Sequence, residues 1–406
     1  MTLSEITNPV LTTEMFAEKM DRQNNLLLAM LRQTAPPDAD WSLLEKYAND
    51  GVFGELFSWG DQFMDTWKNT VDNKEYTYPW RLNHLGAYEL ADGEILNNRP
   101  CLQLHYAHLH GVQFSHQRAF LTCPEGLSAG TYYFTIESNW GSNVTAGDVV
   151  CFTLTQDVPA GGRVAGCYGA PDQSKSNWRV YSYGADGITL IETVTPTFTA
   201  SGTDLGVQKH NQRSGNLNST QEMAYGWNRW KTSAVRQYLN SSAGIGNWWK
   251  PQDEWDIAPD QLKTLPGFLS GCSEAFINAI KPVKVKTYVN TVYDSTQQAE
   301  DYDITYDKVF LPSLEEMYIN PQKAGEGNVH EYWRRRSGRT SPLPWYQDTP
   351  EYVTYAVENH NSAQYVRLRS AHRYGAGYTW SVISSGGVYG GGGASGAIRF
   401  SPLVVL

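Results

Sequence analysis

The stretch from Tyr365 to Pro402 constrains the fold of this chain more than any other. Two strand-like segments, Tyr365-Val-Arg-Leu-Arg-Ser370 and Ala397-Ile-Arg-Phe-Ser-Pro402, bracket a middle of small residues and tyrosines. That middle runs through Ala371-His-Arg-Tyr-Gly-Ala-Gly-Tyr-Thr-Trp380 and on into a run of Ser, Gly and Tyr. Tyrosine offers large contact area with few rotatable bonds, and Ser and Gly add polar adaptability. The pattern predicts structured flanks holding up a recognition surface rather than a catalytic centre.

The 406 residues are enough for two or three domains, and the 41% apolar content fills sizeable cores. Fourteen Trp and 25 Tyr stand against only 18% charged residues, a profile that suits an exposed protein with rigid, adhesive surfaces. The net charge of −10 argues against a general nucleic-acid binder, which needs a basic face to displace counterions. One local exception is Trp333-Arg-Arg-Arg336 with Arg339, readable as an anion or glycan patch but better as buried or paired arginines. Five cysteines (101, 123, 151, 167 and 272) lack any CxxC pair and do not form an evident disulfide framework, although one or two bridges within 101–167 are compatible with the sequence. The first residues carry no basic, apolar leader. No apolar run approaches the ~20 residues of a membrane span, so no membrane insertion is expected. A chain made in the cytoplasm with the composition of an exposed protein fits a virion component released by lysis.

The order Val366-Arg-Leu-Arg-Ser370, Trp380-x-Val382, Gly386-Gly-Val388 and Ile398-Arg-x-x-Pro402 resembles the closing strands of a calcium-free C-type-lectin-like domain. That version is shared by formylglycine-generating enzymes, by phage and bacterial domains, and by the variable proteins of diversity-generating retroelements. Trp227-Asn-Arg-Trp-Lys-Thr-Ser-Ala-Val-Arg-Gln-Tyr-Leu-Asn240 and Asp307-Lys-Val-Phe-Leu-Pro-Ser-Leu-Glu-Glu-Met317 resemble the same phage and prophage group. The resemblance implies a frame of Arg367, Leu368, Trp380, Val382, Val388, Ile398, Arg399 and Pro402. It implies display positions at His372, Arg373, Tyr374, Tyr378, Ser381, Ile383, Ser384, Tyr389 and Ser395. Adenine-directed mutagenesis yields Tyr, Ser, Gly, Ala, His, Arg and Ile, the residues found between the frame positions. A Gly-rich terminal hairpin that only packs against its own domain is the competing reading.

The expected fold class is mainly β with an α+β C-terminal domain. The first unit, residues 1–40, carries a helix over 12–34 with Phe16, Met20, Gln23, Leu27 and Met30 at seam spacing. That helix docks on its own domain, oligomerises or anchors the chain to a virion. Residues 41–97 read as a mixed connecting region, with a short helix over Trp41–Tyr47 and strands at Tyr76–Trp80 and Leu90–Leu96. Residues 98–206 read as a β-sandwich or jelly roll, because Gly130–Ile136, Asp148–Leu154, Trp178–Tyr183 and Gly187–Val194 are rich in β-formers between turn signals. Polar Thr199–Asn218 reads as a linker into the lectin-like domain at 207–406, whose tip spans 371–396. In that domain helices are predicted at Thr232–Asn240 and Ser273–Ile280, strands at Lys284–Val289 and Asp307–Leu311, and a capping box at Ser313-Leu-Glu-Glu316 opening a short helix.

The constellations that carry chemistry elsewhere are weak here. His105, His108 and His110, with His116 nearby, are the densest imidazole group, but along a strand they do not converge as zinc ligands. Relative to the formylglycine-generating enzymes, the C-terminal half holds one cysteine, Cys272, where a pair is needed. The HxxxHxE triad of related sulfoxide synthases is missing, as are the Glu-Pro-Asn, Gln-Pro-Asp and Trp-Asn-Asp calcium motifs of sugar-binding lectins. Asp253, Glu254 and Asp256 form one acidic turn, a weak signal for paired-carboxylate hydrolysis. Gly390–Gly393 lacks the Lys-Ser/Thr of a phosphate loop and belongs to the expected recognition loop. The expectation is therefore a non-enzymatic phage or prophage virion protein that needs no cofactor or metal and binds a host surface protein or glycan. Its other partners would be virion proteins met through the N-terminal region, and its state a homotrimer, as the resemblance implies. A fixed structural protein, such as a capsid decoration or fibre subunit, is the alternative.

Overall fold

The computed structural model describes residues 19, 21–23, 39–115, 119–137, 146–165, 178–184, 187–208, 228–252, 256, 258–290, 302–375 and 377–406. The predicted N-terminal helix lies outside the described residues except for Lys19 and 21–23, which are helical. The architecture is mainly β, built from several antiparallel sheets with short helices between them.

Helix α1 (Trp41–Asn49) starts where Asp40 caps it, with the Leu43 N–H donating to its side chain at 3.1 Å. Trp41, Leu44, Tyr47 and Ala48 fall on one face and are buried. Trp41 meets Phe276 of α4 (Glu274–Ala279) edge-on at 4.9 Å, and its indole N–H donates to Asp65. Ser273, the N-cap of α4, also donates to Asp65. Between these helices lie a single turn, α2 (Phe53–Leu56), and α3 (Ala234–Leu239), capped by Ser233.

The main sheet joins distant parts of the chain. Strands β1 (Gln62–Lys68), β2 (Glu75–Glu89) and β3 (Ile95–Leu104) form a meander. Leu90–Glu94, read from sequence as part of a strand, is the turn between β2 and β3. The last strand, β19 (Leu403–Val405), then inserts between β3 and β13 (Val309–Phe310), with Val404 opposite both Leu102 and Val309. One core unites residues 41–114 with residues 230–311 and 394–406, and Leu403, Val404, Val405 and Leu406 are fully buried in it, while Leu314, Trp333, Tyr352, Leu368, Trp380, Val382 and Val388 pack in a cluster of their own.

This corrects the domain boundaries. The division at 97/98 cuts through β3, and residues 41–104 belong to the same body as the C-terminal half. The reason is strand pairing across some 300 positions, which composition along the chain does not reveal. The separate β unit is an insertion. Strands β4 (Ala119–Cys123), β7 (Gly162–Ala165), β8 (Trp178–Gly184) and β9 (Gly187–Val194) form one sheet. The other contains β5 (Gly130–Ile136), β6 (Val149–Leu154) and β10 (Thr203–Gln208). Phe134, Ile136, Val150, Phe152 and Leu154 meet Leu121, Val164, Val180 and Val194 in a second core. Strand β10 pairs parallel with β5, so the start of the expected linker is a strand that closes this unit.

The remaining elements carry the candidate site. Hairpin β11–β12 (Val283–Tyr288, Tyr302–Asp307) leads to β13, and α5 (Glu331–Arg336) follows. A hairpin, β14–β15 (Thr354–Ala356, Asn359–Gln364), precedes a three-stranded sheet of β16 (Val366–Ala371), β17 (Tyr378–Val382) and β18 (Val388–Gly393). The Gly390–Gly393 run is thus strand rather than loop. Cys101, Cys123, Cys151 and Cys272 are free thiols.

Leu403→Ala leaves a cavity at the centre of the joined sheet and is expected to cost about 3 kcal/mol. Urea denaturation followed by tryptophan fluorescence measures the loss. Phe152→Ala is expected to weaken the inserted unit while leaving the unfolding transition of the main body in place.

Candidate functional site

The sheet β16–β17–β18 is held by buried polar groups. The Arg367 guanidinium, fully buried, donates to Thr379 Oγ1 at 2.5 Å and to the Gly393 and Gly396 carbonyls at 2.9 and 2.7 Å. Arg369 is 1% exposed and grips Glu316 with both terminal nitrogens, at 2.5 and 2.8 Å. Glu316 also accepts from the Ser313 N–H while Ser313 Oγ accepts from the Glu316 N–H, so the predicted capping box is formed. It closes a turn and not a helix. Tyr318 takes a positive φ of 56°, and the segment ends with Ile319 bridged to Leu343.

Glu326 lies beside this pair. It contacts Ser370 Oγ at 2.5 Å and accepts from the Tyr288 N–H at 3.3 Å. Burial, reinforced by the neighbouring Glu316 charge, pushes its carboxyl up to about 8 despite Arg369. For Glu316 burial acts in the same direction, but the two-pronged Arg369 contact outweighs it and holds the carboxyl below its ordinary value. Gly327 is required here, because a Cβ at that position would sit 2.5 Å from Glu316 Oε1.

Above the frame lies an aromatic face. His372 stacks on Trp380 at 5.4 Å, and Trp380 packs against Trp345 at 5.0 Å. Tyr374 and Tyr378 flank His372 at 6.2 and 6.4 Å. Tyr346 lies 6.4 Å from Trp380 and 5.8 Å from Tyr389. Four of these rings are open to solvent, with Tyr374 72%, Tyr346 64%, Tyr389 46% and Tyr378 36% exposed. A Cβ at Gly390 would approach the His372 ring to 2.7 Å, so the glycine lets that ring lie flat against the strand.

Asn228 fixes the loop between β16 and β17. Its amide nitrogen lies 3.1, 3.1 and 2.7 Å from the carbonyls of His372, Gly375 and Tyr378, and its oxygen accepts from Asn290 at 3.2 Å. Gln322 Oε1 accepts both the Arg373 N–H at 2.8 Å and the Trp380 indole N–H at 3.1 Å. The exposed rings therefore stand on a backbone with its polar groups satisfied from below.

The structure brings His372, Tyr374, Tyr378 and Tyr389 together on this face. Ser384 is exposed in the β17–β18 turn, with Ile383 half-buried beside it. Ser395 is half-buried, and its carbonyl accepts from Gln113 at 2.6 Å. Arg373 and Ser381 are corrected as display positions, being 6% and 1% exposed. The Arg373 guanidinium donates to the Val289 carbonyl and covers the Tyr288 ring at 5.6 Å, so it braces the frame and is no surface anchor. Of the implied frame residues, Arg367, Leu368, Trp380, Val382, Val388 and Pro402 are buried, whereas Ile398 and Arg399 are half-buried. Sequence reasoning missed Tyr346 and Asn228. Tyr346 stands at a positive φ of 61°, held by its N–H donating to the Val388 carbonyl. Its signal was the aromatic pair Trp345-Tyr346 before a polar turn, and that of Asn228 was the Trp-Asn-Arg segment.

The histidine group does other work. His108 is fully buried, with Tyr78 and Tyr238 hydroxyls 2.6 and 2.9 Å from its two nitrogens. Burial pushes it well below its ordinary value. His105 Nδ1 faces Arg81 at 3.1 Å, and among the described residues no metal-ligating cluster forms. His116, Asp253 and Glu254 lie outside the described residues. Asp256 is buried and accepts from the Gln252 N–H. Of the expected buried or paired arginines, those of α5 are exposed rather than buried, and the paired reading holds for Arg334 and Arg335, which pair with Glu331. Arg336 donates to the Glu351 carbonyl.

A family model described as a domain of unknown function, DUF6273, matches residues 207–404. The matched segment excludes β1, β2 and β3, although its last residues pair with β3. No curated protein and no solved structure matches the chain.

Asn228→Ala removes the amide from three carbonyls and is expected to cost about 1–3 kcal/mol. Faster hydrogen exchange at residues 372–378 locates the loss. The raised Glu326 carboxyl predicts a pH slope. Its ordinary value is 4.5 and its folded value about 8, so across this window the folded chain holds a proton that the unfolded chain releases. That contribution is fully present below the lower value and is lost as pH rises through the upper one. Glu326→Gln is expected to flatten the slope in denaturation experiments between these limits.

Proposed function

We propose that this chain is a phage or prophage virion protein that binds a receptor on the host cell surface through its aromatic face. The carrying observation is the patch of four solvent-open tyrosines, 346, 374, 378 and 389, joined through buried Trp380 and His372. Free proteins rarely leave linked aromatic rings exposed unless a partner covers them. Rings with two rotatable bonds, on a hydrogen-bonded backbone, lose little entropy on binding. The resemblance of residues 220–406 to calcium-free C-type-lectin-like variable proteins supports the same reading, with β16–β18 as the frame and His372, Tyr374, Tyr378, Ser384 and Tyr389 as display. A homotrimer would multiply weak single-site contacts through avidity.

One observation favours a second reading, a fixed virion structural protein. Arg373 and Ser381 are buried, so the stretch 372–395 is not a freely variable loop. In that reading the tyrosines contact a neighbouring virion protein.

Binding of labelled protein to host cells separates the two. Tyr374→Ala with Tyr389→Ala is expected to weaken binding by more than about tenfold with the fold intact by circular dichroism. Absence of cell binding by the wild-type protein would sink the receptor reading. Population sequencing adds a second check. Substitutions are expected at adenines in the codons of exposed positions 374, 378, 384 and 389, with codons 373 and 381 held constant.

A further inference from the structure

A pocket of about 250 Å³ opens beside the Arg369–Glu316 pair and shares no residue with the tyrosine face. Tyr88, Lys284, Lys286, Glu326, His330 and Arg369 are among the residues that line it. Every carboxylate of its wall is committed. Glu316 is held by Arg369, Glu89 by Lys284 at 2.8 Å, and Glu326 by Ser370 and the Tyr288 N–H. Several nitrogens of the wall lack partners. His330, 2% exposed, has no partner at Nδ1, and Arg369, 1% exposed, has none at Nε. Lys286 is exposed at the mouth, with its ammonium over the Tyr302 ring at 4.0 Å and no carboxylate partner among the described residues. Buried polar atoms without partners are uncommon in folded proteins and mark places where a further molecule completes the bonding.

We propose that this pocket binds a small oxyanion, a carboxylate or phosphate of a few atoms, between Lys286 and the His330–Arg369 wall. The Lys286 ammonium and the Arg369 Nε–H are donors without an acceptor here, so a ligand with acceptor oxygens completes them and a cation does not. The volume of about 250 Å³ has room for a molecule of a few non-hydrogen atoms. Glu326 makes occupancy depend on pH. While neutral it adds no charge to the wall, and once ionised it faces the anion with a like charge.

The other charged and titratable groups here do not reverse that sign. Lys284 and Glu89 neutralise each other, and Glu315 accepts the Gly325 and Glu326 N–H groups. Burial pushes His330 down to about 3, and His84, stacked on it at 5.2 Å, also lies below its ordinary value. Both stay neutral across the range in which Glu326 titrates.

Isothermal titration of the full chain with succinate and, separately, with inorganic phosphate tests the site, with glycerol as the neutral control. Binding of one anion and not the other identifies the oxygen donor; binding of both supports a general oxyanion site. The expected result is saturable binding that weakens about tenfold in Lys286→Met, the loss of one charged hydrogen bond. With succinate, whose carboxyls are both ionised throughout this range, affinity is expected to fall as pH rises through about 8 in wild type and to stay level in Glu326→Gln. Lys286 is at the surface, so its variant reports on binding without threatening the fold. No heat with either anion, equal heat with glycerol, or binding indifferent to Lys286→Met overturns the proposal.

Discussion

The contact between Arg369 and Glu316 is the one the candidate site depends on. Both groups are almost fully removed from water, and a charge so placed is tolerable only when paired and hydrogen-bonded. Each requirement is met from a different part of the chain. Ser313 donates to Glu316, and the Leu311 and Glu326 carbonyls accept from Arg369. Strand β16 is thereby tied to the 311–316 segment and to the 325–327 loop in one arrangement. The neighbouring Glu326 carries the consequence, since its burial, reinforced by the Glu316 charge, disfavours a second ionised carboxylate beside the pair. Removing either partner of the pair would leave an uncompensated charge, which costs far more than the pair itself contributes.

The position of β19 gives the fold a second constraint. A terminal strand between β3 and β13 means that the central sheet closes only when the last residues arrive. Contacts at such sequence separation fold slowly, because the intervening loop must be ordered before the pairing stabilises anything. The inserted unit at 119–208 escapes this constraint, for its core draws on its own strands alone. Variation in that unit need not disturb the main sheet, whereas variation in β3, β13 or β19 does.

Local structure was legible in the sequence and long-range pairing was not. The helices at 41–49, 234–239 and 274–279 were visible from caps and apolar spacing, and β5 and β9 from runs of β-formers. These signals act within one turn or one strand. The domain boundaries failed because β3 and β19 announce no preference for each other in composition. The capping box shows the intermediate case. Its hydrogen bonds were readable, but the use of Glu316 by Arg369, 53 residues away, was not. For the site, tyrosine enrichment pointed to residues 374, 378 and 389. Nothing local distinguished the buried Arg373 and Ser381 from their exposed neighbours: Arg373 is drawn in from a loop by Gln322 and the Val289 carbonyl, and alternation at Ser381 is interrupted by a bulge.

Those bulges decide what the aromatic face can vary. Register shifts between Arg367 and Ala371 and between Thr379 and Ser381 re-aim side chains, so exposed and buried positions do not simply alternate. Thr379, Trp380, Ser381 and Val382 are consecutively buried, and Tyr378 alone in that strand reaches solvent. Tyr389 on β18 and Tyr346 from a preceding loop complete the patch from other elements. The hydrogen bonds of the frame run through Arg367, Asn228, Gln322 and backbone carbonyls rather than through the tyrosine side chains. The division is between a hydrogen-bonded polar underside and an exposed aromatic outside. It also explains why Arg373, despite its charge and its place among the tyrosines, belongs to the underside.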